Sequence, residues 1–224
     1  MKKRISLATA AAIAAGFSCG SAFAQYEGTF LIRGGAMQIK PKVQSGGLSG
    51  PAPSGSTIDN GPSSRISGGI TLMMTDHISV DLPLAVPFKF PIYGTGAVQG
   101  VGKLGTVKSL PATQFVQYRF LPPESTFRPY VGLGITYAYF FDEEGSAAFT
   151  GLTNPGGPNT TFKVKSKFAL TPQIGAYVAL GDTYFLDIWY GKTFLKTVTT
   201  LSTGQTQNIV LNPRTLQISV GMQL

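Results

Sequence analysis

Few residues in this chain could do covalent or metal chemistry. There is one cysteine, Cys19, and one histidine, His77. A serine hydrolase needs a base within hydrogen-bond reach of its nucleophile. His77 falls in the short turn predicted at Asp76-His77, with no serine motif around it. Asp142-Glu143-Glu144 is an acidic run at the start of a long loop. Calcium takes six to eight oxygens from several directions, and one short run supplies only one side, so a solvated loop face accounts for it. No glycine-rich phosphate loop, metal-spaced histidine pair or haem motif is present. Catalysis, a metal and a cofactor are therefore not expected.

Other residue types point to a pathway. Proline lacks the N–H that a β-ladder uses, so it interrupts pairing. Pro83, Pro87, Pro91 and Pro111 gather in or beside two consecutive predicted strands. They mark either an opening in a sheet wall, with Pro83, Pro87, Leu110 and Pro111 at its edge, or simply strand ends and bulges. Trp189 shares strand parity with Asp187 and Thr193. Met37 and Ile39 share it with Arg33, and Phe115 with Arg119. With Phe140 these are candidate lining residues of an apolar lumen; side chains that merely fill a narrow barrel would obey the same parity. Arg33, Asp81, Arg119 and Asp187 fall on the inner face. They are expected to pair with one another, because an isolated buried charge is costly.

These side chains need a frame, and the sequence announces one from its first residues. Lys2, Lys3 and Arg4 precede an uncharged run, Ile5 to Phe17, and Ala22-Phe23-Ala24 offers small residues for cleavage. This is the form of a secretory signal peptide over 1–24, shorter than the ~20 apolar residues of a membrane-spanning helix. Gly16, Phe17 and Ser18 before Cys19 do not match a lipoprotein cleavage box, so Cys19 is expected to leave with the leader. The chain carries 18 Lys+Arg against 10 Asp+Glu, net +8; removing Lys2, Lys3 and Arg4 lowers that to +5. The cations are scattered, which suits anionic lipid headgroups and lipopolysaccharide rather than nucleic acid. Charged residues make up only 12%, about half the usual share of a soluble domain. Low charge without a long apolar helix is the signature of a membrane barrel.

Residues 25–224 read as strands joined by alternately short and long connections. Period-two alternation places strands near 26–42, 63–75, 78–90, 105–120, 127–141, 162–180, 183–198 and 208–224. The longest, Phe162 to Leu180, sets Phe162, Val164, Phe168, Leu170 and Ile174 on one face. Ile78 to Phe88 places Val86 and Phe88 together with Ile78 on another lipid-facing row. Short turns at Asp76-His77, Leu121–Thr126 and Gly181-Asp182 belong on the periplasmic side. The long loops 43–62, 91–104, 142–161 and 199–207 belong outside, with both termini periplasmic. Aromatic pairs near strand ends, including Tyr118 with Phe120, Phe127 with Tyr130, Tyr139 to Phe141 and Tyr184 with Phe185, look like interface girdles. No helical periodicity is visible. The expected fold is all-β, an eight-stranded antiparallel transmembrane β-barrel in the outer membrane of a Gram-negative bacterium. A soluble β-sandwich would also alternate, but would carry charge where this chain has Gly, Ser, Thr and Gln.

Several segments resemble the OmpW family of small outer-membrane barrels, which includes the alkane-uptake protein AlkL. They are Ile32-Arg33-Gly34, Leu110-Pro111-Ala112-Thr113, Gln117-Tyr118-Arg119-Phe120, Arg128 to Gly134 with Tyr137 to Phe141, and Asn212-Pro213. The likeness runs over the whole mature chain. Departures are Leu224 at the end, where such barrels usually carry Phe, and Ala112, where a second proline is common. The resemblance implies passive uptake of small hydrophobic molecules, which enter from outside and leave sideways through the barrel wall. The implied partners are outer-membrane lipid, lipopolysaccharide, apolar solutes and the barrel-assembly machinery, with a monomer among the possible states. A structural or adhesive barrel and a small ion-conducting pore are the alternatives; neither the solute nor the loop roles follow from the sequence.

Overall fold

Strict alternation of apolar and small or polar residues builds a wall with two unlike faces, and the computed structural model closes that wall on itself. It describes residues 25–47 and 52–224, so the expected leader and Cys19 lie outside the described residues. In chain order the strands are β1 (Phe30–Lys40), β2 (Gln44–Ser45), β3 (Ser56–Asn60), β4 (Ser63–Met73), β5 (Ile78–Ala85), β6 (Phe88–Gly96), β7 (Lys103–Arg119) and β8 (Phe127–Gly145). There follow one short helix, α1 (Ala147–Thr153), and β9 (Phe162–Val164), β10 (Lys167–Leu180), β11 (Tyr184–Lys192), β12 (Lys196–Leu201), β13 (Thr206–Val210) and β14 (Arg214–Gln223).

The wall runs β4, β1, β14, β11, β10, β8, β7 and back to β4 through β5. That makes a closed antiparallel barrel of eight strands. Closure leaves no strand without a neighbour on either side, which a sheet in hydrocarbon requires because unpaired N–H and C=O groups find no water there; one stretch between β5 and β7 stays unpaired. The seam between first and last strands is continuous from Leu31↔Gln223 to Lys40↔Arg214. Leu224 N–H also donates to Phe30 O at 2.8 Å.

Outward positions carry Ile66, Ile135, Ile174, Leu170, Val116, Leu133 and Val220, all exposed. In water such a surface would be a large liability; in a bilayer it is the lipid belt. Tyr118, Phe120, Phe127 and Tyr184 ring one end, and Tyr137, Tyr139 and Phe168 lie towards the other. Tyr130 and Phe185, expected in these girdles, instead point inward and are almost fully buried.

Short connections close one end. At the β4–β5 turn, Thr75 Oγ1 accepts from the N–H groups of His77 and Ile78. Gly181 turns β10 into β11 at φ 80°, a left-handed conformation that glycine adopts without strain. At the other end the wall continues outward. β6 replaces β5 beside β7, β3 pairs with β6, and β2, β13, β12 and β9 form a separate four-stranded sheet. The expected long loops therefore hold strands and α1, whose N-cap Ser146 accepts from Phe149 N–H.

The outward extension corrects four predicted strands; the run 208–224 breaks at residues 211–213, leaving β13 in the outer sheet and β14 in the barrel. The run 162–180 breaks after Val164 and resumes at Lys167. Phe162 and Phe168 share parity, yet Phe162 is buried at 5% exposure and Phe168 lies outside at 73%. Lys165 and Ser166, between the two strands, shift the pleat by one while Lys165 N–H still donates to Val198 O. The run 78–90 breaks at Val86-Pro87, and Phe88, expected on the lipid row, is wholly buried. The run 183–198 breaks between β11 and β12.

Candidate functional site

Below the midpoint of the barrel, the inward row is polar and tightly bonded. Arg33 reaches from β1 to Asp81 on β5 with two bonds, Nη1 to Oδ1 at 2.7 Å and Nη2 to Oδ2 at 2.9 Å. Thr71 accepts from Arg33 and donates to Asp81. Asp187 lies 3.7 Å from Arg33 Nε and accepts from the Tyr130 hydroxyl at 2.9 Å. Arg33, Asp81 and Asp187 are thus brought together as one ion cluster.

Among the described residues, Arg119, the fourth expected member, makes no ion pair with a carboxylate. Its donors go to Ser79 Oγ, Gln117 Oε1 and Gln25 Oε1, and its guanidinium lies 4.9 Å from the Tyr130 ring centroid. Neutral acceptors and an aromatic face satisfy this cation. Nearer the short-turn end, Arg128 donates to Gln25 Oε1 at 3.0 Å, Asp76 O at 2.6 Å and Leu121 O at 3.2 Å. Arg128, Tyr130, Gln117 and Gln25 were not among the expected site residues. Arg128 and Tyr130 share parity with Gly132 and Gly134, so alternation along β8 held the signal for both. Together these groups fill the lumen as a polar plug.

Above the plug the lining turns apolar. Phe115 and Trp189 meet edge to face, ring centroids 5.6 Å apart, and Trp189 Nε1 donates to Gln217 Oε1 at 2.8 Å. They form the floor of a cavity with about 80 Å³ of room for the centre of a water-sized molecule. Its walls include Met37, Ile39, Phe140, Pro83 and Pro111. All five expected lining residues border this one space. A second, smaller cavity of about 50 Å³ lies further out among Ile92, Leu104, Phe149, Phe162 and Leu201. Asn60, Val107, Phe140 and Leu211 border both. Among the described residues, no charged side chain lines either cavity.

The wall beside the inner cavity is irregular where the prolines cluster. Pairing of β5 with β7 stops at Asp81↔Phe115, and pairing of β6 with β7 starts at Phe88↔Ser109. Between those pairs, residues 82–87 and 110–114 are not paired with each other, although 82–85 remain paired with β4 and 110–114 with β8. Pro83 and Pro111 look into the cavity, Pro87 is exposed, and Leu110 is half-buried on the lipid-facing row. The four residues therefore bracket one interruption from both its faces. Pro91 lies beyond it, paired with Thr106.

The remaining reactive side chains are engaged elsewhere. His77 Nδ1 lies 3.0 Å from Arg119 O, and its ring stacks on Tyr118 at 5.7 Å. Lys108 Nζ pairs with Asp142 at 2.6 Å, Glu143 accepts from Val164 N–H, and Glu144 accepts from Thr106. With Lys89 Nζ 3.9 Å from Glu144, the acidic run is divided among four partners. At the short-turn end the Tyr26 hydroxyl donates to Glu124 and holds its carboxyl below the usual glutamate range.

A closed antiparallel wall, an apolar exterior between aromatic rings and a polar plug define an outer-membrane β-barrel protein. The chain belongs to the OmpW family, whose model matches residues 26–224. Outer membrane protein W of Vibrio cholerae is 33% identical over 219 residues, covering 94% of this chain and 95% of that protein. Outer membrane protein AlkL of Ectopseudomonas oleovorans is 26% identical over 127 residues, covering 57% of this chain and 50% of that protein. In fold, the crystal structure of OprG from Pseudomonas aeruginosa superposes with a TM-score of 0.79 at 23% identity, over 90% of this chain and 98% of that one. No catalytic family is indicated, and the protein resides in the outer membrane of Gram-negative bacteria.

Proposed function

We propose that the protein is a passive conduit for small hydrophobic molecules, which enter through the outer cavity, descend to the inner one and leave sideways into the membrane. The observation that carries this reading is the unpaired stretch between β5/β6 and β7, bordered by the same inner cavity that Trp189 and Phe115 floor. Straight passage would take an apolar solute through the Arg33–Asp81–Asp187 cluster and then into water. Release into water costs roughly 0.8 kcal/mol per CH₂, whereas a side exit keeps the solute among apolar groups throughout. Pro83 and Pro111 keep that stretch from zipping, since neither can donate to a ladder. Met37, Ile39, Phe115, Phe140 and Trp189 line the route, and Leu110 and Pro87 flank its exit. The natural partners are then outer-membrane lipid, lipopolysaccharide and the apolar solutes themselves.

The test is accumulation of n-octane by Gram-negative cells with the protein present, absent, or carrying Pro83→Val with Pro111→Val, which restores both missing donors. Uptake should rise with the native protein and fall back with the double variant. Unchanged uptake with a correctly inserted native barrel would refute the conduit and favour a structural barrel. A large ion conductance would favour the pore.

A further inference from the structure

Four threonines cross the wall of the inner cavity on neighbouring strands and join hydroxyl to hydroxyl. Thr113 on β7 lies 2.8 Å from Thr136 on β8, Thr136 lies 2.6 Å from Thr171 on β10, and Thr171 donates to Thr193 at 2.9 Å. Each hydroxyl has one proton. Because Thr171 gives its proton to Thr193, Thr136 must donate to Thr171, and Thr113 to Thr136. The belt therefore runs one way. Thr193 keeps a free proton, Thr113 keeps free lone pairs, and every member retains some accepting capacity. All four border the inner cavity, facing Met37 and Ile39.

Two further polar atoms stand on the way in. Asn60 Oδ1, at the junction of the two cavities, is buried and has no hydrogen-bond partner among the described residues. Thr199 Oγ1, on a side chain only 6% exposed in the outer cavity, has none either. A buried polar group without a partner is unfavourable and asks for one. Every one of these stations is neutral.

Building on the conduit reading, we infer that the pathway prefers apolar chains ending in one neutral hydroxyl over the bare hydrocarbon and over the carboxylate. A terminal hydroxyl can donate to Thr199 and Asn60 in turn. It can then both accept from Thr193 and donate to a belt oxygen while its chain lies against the apolar wall. A hydrocarbon leaves the stations unused. A carboxylate would shed its hydration with no charged side chain lining either cavity, among the described residues, to receive it, and Arg33 in the plug below is already committed to Asp81 and Asp187.

Trp189, the only tryptophan of the chain, borders the same cavity and reports occupancy directly. The experiment is quenching of its fluorescence, in lipid bilayers, by 8-bromooctan-1-ol, 1-bromooctane and 8-bromooctanoate. Concentrations are counted per lipid, so that partitioning is common to all arms. One well-placed hydrogen bond is worth a factor of about 3–10 in affinity. The alcohol should therefore quench at about 3–10-fold lower concentration than the bromoalkane, and the carboxylate least. Thr136→Val with Thr171→Val keeps side-chain shape and should erase the alcohol's advantage, while Thr136→Ser keeps it. If the double variant does not fold, Thr193→Val, just beyond the end of β11, serves in its place. Equal quenching by alcohol and alkane in the native barrel would overturn the inference and leave the conduit standing. So would a preference that survives the valine variants. No quenching by either would remove the conduit as well.

Discussion

Replacing Asp81 by alanine tests whether the plug is a coupled unit. Arg33 is buried at 6% exposure and spends two N–H groups on Asp81, at 2.7 and 2.9 Å. After Asp81→Ala it retains Thr71 and the longer 3.7 Å approach to Asp187. Removing one partner of a buried pair typically costs ~3–5 kcal/mol, chiefly because the other charge stays behind uncompensated. With a urea dependence of roughly 2 kcal/mol per molar, the unfolding midpoint in lipid bilayers should fall by about 1.5–2.5 M. In an Asp187→Asn background, which removes the third charge of the cluster, Arg33→Met combined with Asp81→Leu removes the other two and fills similar volume. It should return to within about 1 kcal/mol of that background, because exchanging a buried ion pair for apolar groups is often neutral or better. The two positions are in contact, so their effects should be far from additive. The reasoning is refuted if Asp81→Ala costs under ~1 kcal/mol, or if the double variant loses the sum of the single losses.

Three other perturbations follow from the geometry. An added Cβ at Gly134 would lie 2.6 Å from a Phe115 ring carbon, so Gly134→Ala should displace Phe115 from Trp189, cost about 1–3 kcal/mol of stability and shift the tryptophan emission; unchanged emission would contradict this. Glu124 should titrate below the ordinary glutamate value of about 4.3, followed by carboxyl carbon NMR, and Tyr26→Phe should raise it towards that value. Because this folded-state value is depressed, the stabilisation from the Tyr26 bond is present above the unfolded pKa and is lost as pH falls through the folded one. In planar bilayers the native barrel should pass little ion current, and truncating Arg33, Asp81 and Arg119 together to alanine should increase it; an already large native conductance would mean that the plug does not close the lumen.

The barrel and its inner face were legible because a strand's period is two: once the lipid row is known, parity decides what looks inward. Parity places Trp189, Met37, Ile39 and Phe115 without any knowledge of contacts. It fails wherever residues between two strands reset the pleat. That happens at Pro87, which returns Phe88 to the interior, and at Lys165-Ser166, which sends Phe162 and Phe168 to opposite faces. No local residue type marks such a reset, because it comes from what the neighbouring strand does. The helix α1 escaped notice because seven residues are too few to display a 3.6-residue period. Arg119 shows a different limit. Charge counting suggested a carboxylate partner, yet Gln25, Ser79 and Gln117 satisfy it, and amide acceptors leave no trace in a charge pattern.

The reach of β8 sets the height of the molecule. Its 19 residues at ~3.4 Å each, tilted by about 40°, rise ~45–50 Å, while the apolar band of such a barrel is about 25 Å tall. Some 20 Å of β8 is left to stand clear of the hydrocarbon, as a chimney rising through the saccharide coat that covers the cell. On the proposed conduit reading, the mouth would sample the medium beyond the layer that excludes greasy molecules, and the unzipped stretch by Pro111 would discharge beneath it. That reading puts intake and delivery on opposite sides of the barrier, so the advantage conferred on a cell should grow with the thickness of its coat and shrink towards nothing in a strain stripped of it.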